Sequence, residues 1–373
     1  MIIDGNLHSH TLKAPRKLLY CALSRHDIRG AQEIFGEMSD VAKNDPMTRF
    51  LMYKIAVRGG EAELAAECLE KVYESSPKEP NLLYACVLDA QQAGDKDLAV
   101  AAMQLVLERH QQSHATSIHL PALLRCTIRL TKSQLEAKSN PKLDSDSNII
   151  VDRLCKLFEG CRLSFHLQTM LQQVNRVLAA GYAQRSQVSA TSGEKIFDTA
   201  ELSWFSKNAY NLALKFSAEW EPLNILRLLQ SCLKFIELYP KDISQELADD
   251  LSLRRIFCHF LATILLVALA RTEDNIEAQL QHYLMVRQHV DGYDAGLQEK
   301  LNRLEDGPAK DLINKLSILL AYDFEAAIRL KAWDDLTGII LKAGACKKMK
   351  VYEIMADCIL CCDAPTHGTP QLL

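Results

Sequence analysis

Three stretches decide the fold. Residues 22–38 read ALSRHDIRGAQEIFGEM, residues 56–72 read AVRGGEAELAAECLEKV, and residues 90–106 read AQQAGDKDLAVAAMQLV. They are offset by 34 residues, and in that register Ala22, Ala56 and Ala90 fall in one column and Ala31, Ala65 and Ala99 in another. Two bulkier columns follow the same spacing: Phe35, Leu69 and Met103, then Met38, Val72 and Val106. Small residues at two fixed points, with larger apolar ones between, suit a pair of helices that approach closely where neither carries a large side chain. The turn between them falls at His26-Asp27, Gly59-Gly60 and Gly94-Asp95, and Pro46, Pro77 and Pro80 stand at or beside the joins between units, where a helix must stop.

A 34-residue period is that of tetratricopeptide repeats. The pattern spans residues 13–110, and the fold it predicts is all-α, a right-handed superhelical solenoid of antiparallel helical hairpins. Past His110 the period is lost, and the remainder reads as the same architecture in degenerate form. The expected divisions are an amino-terminal arm over 1–12, repeats over 13–137, a polar linker over 138–148, a degenerate helical domain over 149–363 and a tail over 364–373.

Composition bounds the functional classes. Fifteen Gly and eleven Pro in 373 residues are few against typical usage of roughly 7% and 5%, which favours helices over turn-rich sheet. A net charge of −4 and a pI near 6.3 argue against a globally basic nucleic-acid binder. Twelve Cys lack the close spacing of a disulfide framework, so they read as free thiols in a reducing compartment. The longest apolar run, residues 256–270, contains His259 and is shorter than the roughly 20 residues of a membrane span. No cofactor, membrane, direct nucleic-acid partner or small-molecule substrate is expected.

Motifs that could carry chemistry are few. Asp4, His8 and His10 have the His-x-His of metal-dependent hydrolases, but that chemistry needs a barrel with further ligands from later strands, and no alternating pattern follows. Cys358, Cys361 and Cys362, with His367 beyond, have a zinc-like spacing but continue the apolar stripe of Ile354 and Met355, so core packing is expected and no metal. His259 reads as an isolated core imidazole. Ser145 and Ser147 lie in the acidic linker, and Lys347, Lys348 and Lys350 form a basic cluster too small to argue DNA binding or nuclear import. No Gly-rich phosphate loop occurs, so no enzymatic activity is expected.

The repeat register does predict an interaction surface. First helices of such hairpins line the inner face of the superhelix, which places Arg16 and Tyr20, Phe50 and Lys54, and Tyr84 and Leu88 along one groove. The Lys and Asn set with which chaperone-binding repeats clamp a terminal carboxylate is missing. A groove for an apolar-aromatic segment fits better.

In the second half, helices are expected over 149–158 and 163–182. Asp198 with Glu201 forms a capping box, and Pro222 opens a partner helix that ends before Pro240. Further helices are expected over 251–271, from the box at Asp274 and Glu277 to Gly292, over 309–322 and 324–330, then 334–342 and 348–362. The run from Glu201 to Lys215 (ELSWFSKNAYNLALK), Trp220, the stretch ARTEDNIE from Ala270 to Glu277, WDDL from Trp333 and VYEIMADC from Val351 resemble the meiosis-specific sporulation-protein-twenty-two / Zip-four family, whose animal relative is a testis-expressed repeat protein. That resemblance covers most of residues 15–362. It implies a non-catalytic, chromosome-associated nuclear scaffold that promotes crossover formation and synaptonemal-complex assembly with axis and recombination proteins as partners. Members of that family are usually longer, so it also implies a truncated member. The alternatives are a cytosolic repeat adaptor of a ubiquitin-ligase or chaperone assembly and, more remotely, a metal-dependent hydrolase using His8 and His10.

Overall fold

The computed structural model describes residues 4–75, 81–112, 120–137, 147–161, 198–301 and 306–361. All of the regular structure there is helical, with no strand among the described residues. The chain divides into two compact units, Met1–Leu157 and Phe158–Leu373. This division falls inside a helix rather than in the polar stretch 138–148, most of which lies outside the described residues.

In the first unit the helices are α1 (Asp4–Arg25), α2 (Ile28–Glu37), the short α3 (Asp40–Lys43), α4 (Pro46–Gly59), α5 (Ala62–Ser75), α6 (Asn81–Ala93), α7 (Lys96–Gln112), α8 (Leu120–Ala137) and α9 (147–161), which crosses into the second unit. Residues 4–12, expected as an arm, belong to α1. Successive helices pair as hairpins, and each hairpin packs on the next: α1 and α2 both meet α4, α4 meets α6, α5 meets α6 and α7, and α7 meets α8. This is a solenoid, in which each unit buries its apolar face against its neighbours.

The 34-residue columns explain the packing. All six Ala are buried, none more than 6% exposed, and Leu69, Val72, Met103, Val106 and Met38 are buried beside them, while Phe35 is half-buried. The turns repeat at the level of single torsions. His26, Gly60 and Gly94, 34 apart, have φ of 55°, 73° and 80°. One residue further on, Asp27, Glu61 and Asp95 donate their N–H groups to the carbonyls of Ala22, Ala56 and Ala90 at 3.0, 2.9 and 3.0 Å. Each is a left-handed helix stop in which a carbonyl of the Ala column closes the helix. Asp27 and Asp95 then cap the following helix, accepting from the N–H of Gly30 and of Leu98 at 2.9 Å.

Two predictions follow from this register. His26 pays for a left-handed torsion that Gly adopts freely, so His26→Gly should stabilise by about 0.5–1 kcal/mol and Gly94→Ala should destabilise by about as much; urea midpoints followed by circular dichroism should move in opposite directions. Ala65→Leu should overpack a helix contact at a cost of about 1–3 kcal/mol, whereas Ala66→Leu, on the exposed side of the same turn, should stay within about 0.5 kcal/mol of the parent. Equal midpoints for the two Leu variants would mean that the repeat register is misplaced.

The second unit contains α10 (Thr199–Lys215), α11 (Pro222–Glu237), α12 (Gln245–Thr272), α13 (Ile276–Leu301), α14 (Asp306–Arg329), a 3-10 turn (Trp333–Asp335), α15 (Leu336–Cys346) and α16 (Met349–Leu360). Asp198 caps α10 by accepting from the N–H of Glu201 at 2.8 Å, and Pro222 occupies the first turn of α11, as the sequence predicts. Phe205 and Phe235 stack between these helices at 5.7 Å.

Three expected boundaries differ. α13 is capped by Asn275, which accepts from the N–H of Ala278 at 3.0 Å, rather than by Asp274, and it runs on through Gly292. Residues 309–330, read as two helices, form most of one, because Asp323 at the expected break is buried and ion-paired to Arg287 at 3.0 Å. α12 is longer than its apolar core suggests and is long and apolar enough to cross a membrane by length and composition; in the fold it packs on α11, α13 and α14. The expected helix over 163–182 lies outside the described residues.

Candidate interaction surface

Arg16, Tyr20, Phe50, Lys54, Tyr84 and Leu88 form a lattice that the fold assembles from two spacings. Within a helix each pair is four residues apart and shares a face; between helices each column steps by 34. Because α1 packs on α4 and α4 on α6, the pairs become three neighbouring rungs.

Ion pairs fix the rungs to one another. Asp45 caps α4 by accepting from the Thr48 N–H at 3.0 Å, and the same carboxylate takes the Arg16 guanidinium of α1 at 2.6 Å, while Arg16 Nε donates to Thr48 Oγ1 at 3.1 Å. Lys54 reaches from α4 to the nearly buried carboxylate of Asp89 on α6 at 2.8 Å, with its ammonium 5.8 Å from the centre of the Phe50 ring. On the buried side Tyr53 donates to the carbonyl of Cys86 at 2.8 Å, a second link between α4 and α6. Tyr84 is half-buried; burial pushes its phenol up to about 12, and its hydroxyl has no partner among the described residues. Tyr20 and Leu88 are 60% and 57% exposed, large apolar surface that the unit itself leaves uncovered. The repeat register names these six side chains but not Asp45 and Asp89, whose role appears only across the helix interface.

The other candidate residues are placed differently. Asp4, His8 and His10 fall on helix α1 rather than a strand, and their side chains lie outside the described residues. Among the described residues no group of three or more His, Cys, Asp or Glu could hold a metal. Cys358 and Cys361 are not core. Val351 and Met355 are buried, but Cys358 is half-buried and Cys361 exposed, and both line a cleft of about 240 Å3 with Arg271, Glu325 and Ile354. The apolar stripe read from the sequence is only partly covered because α16 packs on α14 and α15 along one side. Cys362 and His367 lie outside the described residues.

His259 is not isolated. Its Nδ1 lies 2.9 Å from Nδ1 of His289 on α13, so one ring donates and the other accepts. The helices approach there because Gly292 has no side chain: a Cβ would come within 2.5 Å of the His259 ring. Burial, then the neighbouring His289 and Arg255, holds His259 down at about 3, and burial holds His289 at about 4. Both rings are neutral near pH 7, which suits a structural hydrogen bond. The partner 30 residues away carries no signature in the sequence.

The chain is similar to a protein of sporulation. Sporulation-specific protein 22 of Saccharomyces cerevisiae is 22% identical over 278 residues, 72% of this chain and 27% of the relative. The chain thus spans about a quarter of the length of the curated relative it matches. No family model matches it. Among solved structures, a circular tandem repeat protein with novel repeat topology and enhanced subunit contact surfaces covers 94% of this chain and 66% of its own, at 14% identity and a TM-score of 0.29, too low to carry an argument.

Proposed function

We propose that the chain is a non-catalytic scaffold of meiosis, a tetratricopeptide-type array that holds chromosome-axis and recombination proteins together in the nucleus and so promotes crossover formation and synaptonemal-complex assembly. The observation that carries the meiotic part is the similarity to sporulation-specific protein 22 over 72% of the chain. The rungs of α1, α4 and α6 support the scaffold part, because they offer apolar and charged side chains on a frame braced by ion pairs.

Immunostaining of spread meiotic nuclei tests this reading. Foci along pairing chromosomes, with crossovers reduced when the chain is depleted, are the expected result. A diffuse cytosolic signal with normal crossover number would overturn it in favour of a cytosolic adaptor.

A further inference from the structure

Charge is divided between the two helices in the first two hairpins of the first unit. From Pro15 onward α1 carries Arg16, Lys17 and Arg25 and no acid; α4 carries Arg49, Lys54 and Arg58 and no acid; α6 carries Asp89 alone. The second helices of those two hairpins are opposite in sign, while α7 is balanced, with Lys96 and Arg109 against Asp97 and Glu108. Glu33 and Glu37 on α2 and Glu63, Glu67, Glu70 and Glu74 on α5 are all exposed, against Arg29 and Lys71 as their cations. Over the first two hairpins the side of α1 and α4 is therefore basic and that of α2 and α5 acidic, apart from the buried Arg49, which pairs with Glu67 of α5.

The basic side also holds the exposed apolar surface. Extending the lattice by four residues adds Ser24, Arg58 and Gln92, again 34 apart and all exposed. Cations cluster over α1 and α4, where Lys17 and Arg58 are exposed and Arg16 and Lys54 are held in place by Asp45 and Asp89. Tyr20 and Met47 stand among them, and Leu88 continues the apolar surface on α6.

On this ground, and resting on the scaffold reading above, we infer that the face made by α1, α4 and α6 docks an acidic, apolar-containing peptide segment of a partner protein. The segment lays carboxylates over Lys17 and Arg58 and its apolar side chains over Tyr20 and Leu88. A nucleic acid suits the face less well. Arg16 and Lys54 are already neutralised by carboxylates, so too few cations remain to follow a phosphate backbone, and the apolar surface would meet no complement. The acidic α2 and α5 repel the same ligand, which confines it to one side.

Fluorescence anisotropy with the full chain tests the inference, using a labelled dodecapeptide of repeated Asp-Glu-Leu-Phe, its Ser-Gln-Leu-Phe and Lys-Arg-Leu-Phe counterparts, and an oligothymidine. The acidic peptide should bind with an affinity that falls as salt is raised, and the neutral one about tenfold more weakly. Lys17→Glu with Arg58→Glu, two exposed positions, should weaken the acidic peptide by about tenfold with unchanged circular dichroism, and Leu88→Ser should weaken it at constant charge. Equal binding of the neutral or basic peptide, tighter binding of oligothymidine, or indifference to the charge reversal overturns the inference. Chromosomal foci in meiotic nuclei report on the scaffold reading separately: foci without acidic-peptide binding refute this ligand chemistry alone.

Discussion

Lowering the pH from 7 to 5 is expected to cost the second unit about 4 kcal/mol of stability, through His259 and His289. An unfolded His titrates near 6.5, while the buried rings are held at about 3 and about 4. The folded-state values lie below the unfolded one, so the unfolded chain takes up protons first as pH falls. Stability is therefore complete above pH 6.5 and is lost progressively below it, down toward the folded-state values. Between pH 7 and 5 that amounts to about 2 kcal/mol per ring. Trp204, Trp220 and Trp333 all lie in this unit and are the only Trp of the chain, so the urea midpoint of Trp fluorescence reports on it selectively. His289→Gln should roughly halve the pH dependence. A midpoint that does not move between pH 7 and 5 would show that the pair does not govern stability.

Phe205→Ala is expected to have a comparable effect, about 3–5 kcal/mol at neutral pH. Phe205 is fully buried, stacks on Phe235 and meets the edge of Trp204 at 5.1 Å between ring centres. Truncation leaves a cavity between α10 and α11, and because α11 also packs on α12, collapse is limited. Lys207→Ala, exposed on the same helix, should change the midpoint by less than about 0.5 kcal/mol. A small loss for Phe205→Ala would mean that the two helices close the gap by sliding together. Phe205 also belongs to the run ELSWFSKNAYNLALK, so the segment that carries the family resemblance is built from packing residues, and it identifies a fold element better than a binding site.

What was legible in the sequence was whatever a single helix or a fixed period encodes. The Ala columns, the turns at positions 26, 60 and 94, the cap at Asp198 and the Pro at the start of α11 each depend on residues close in sequence or on a strict repeat. What escaped notice depends on partners set by helix packing. The ion pairs of Arg16 with Asp45 and of Lys54 with Asp89 need the crossing of two helices to be known. So does the meeting of His259 and His289. Gly292 looked like a terminus because Gly disfavours helix; it is retained inside α13 because the His259 ring takes the space of its missing Cβ. The period alone groups the six lattice residues, while the sign of the face needed charges counted helix by helix.

The repeated turn in the first unit also limits how its length can change. Adding a single residue within α5 would rotate everything after it by about 100°, turning Ala90 and Ala99 out of their contacts and the lattice off its shared face. Duplicating or removing a complete 34-residue hairpin would instead join an Ala column to an Ala column and a left-handed stop to the next cap, with each new seam chemically equivalent to an old one. The array can therefore lengthen or shorten its lattice face in whole rungs, without redesigning its interior.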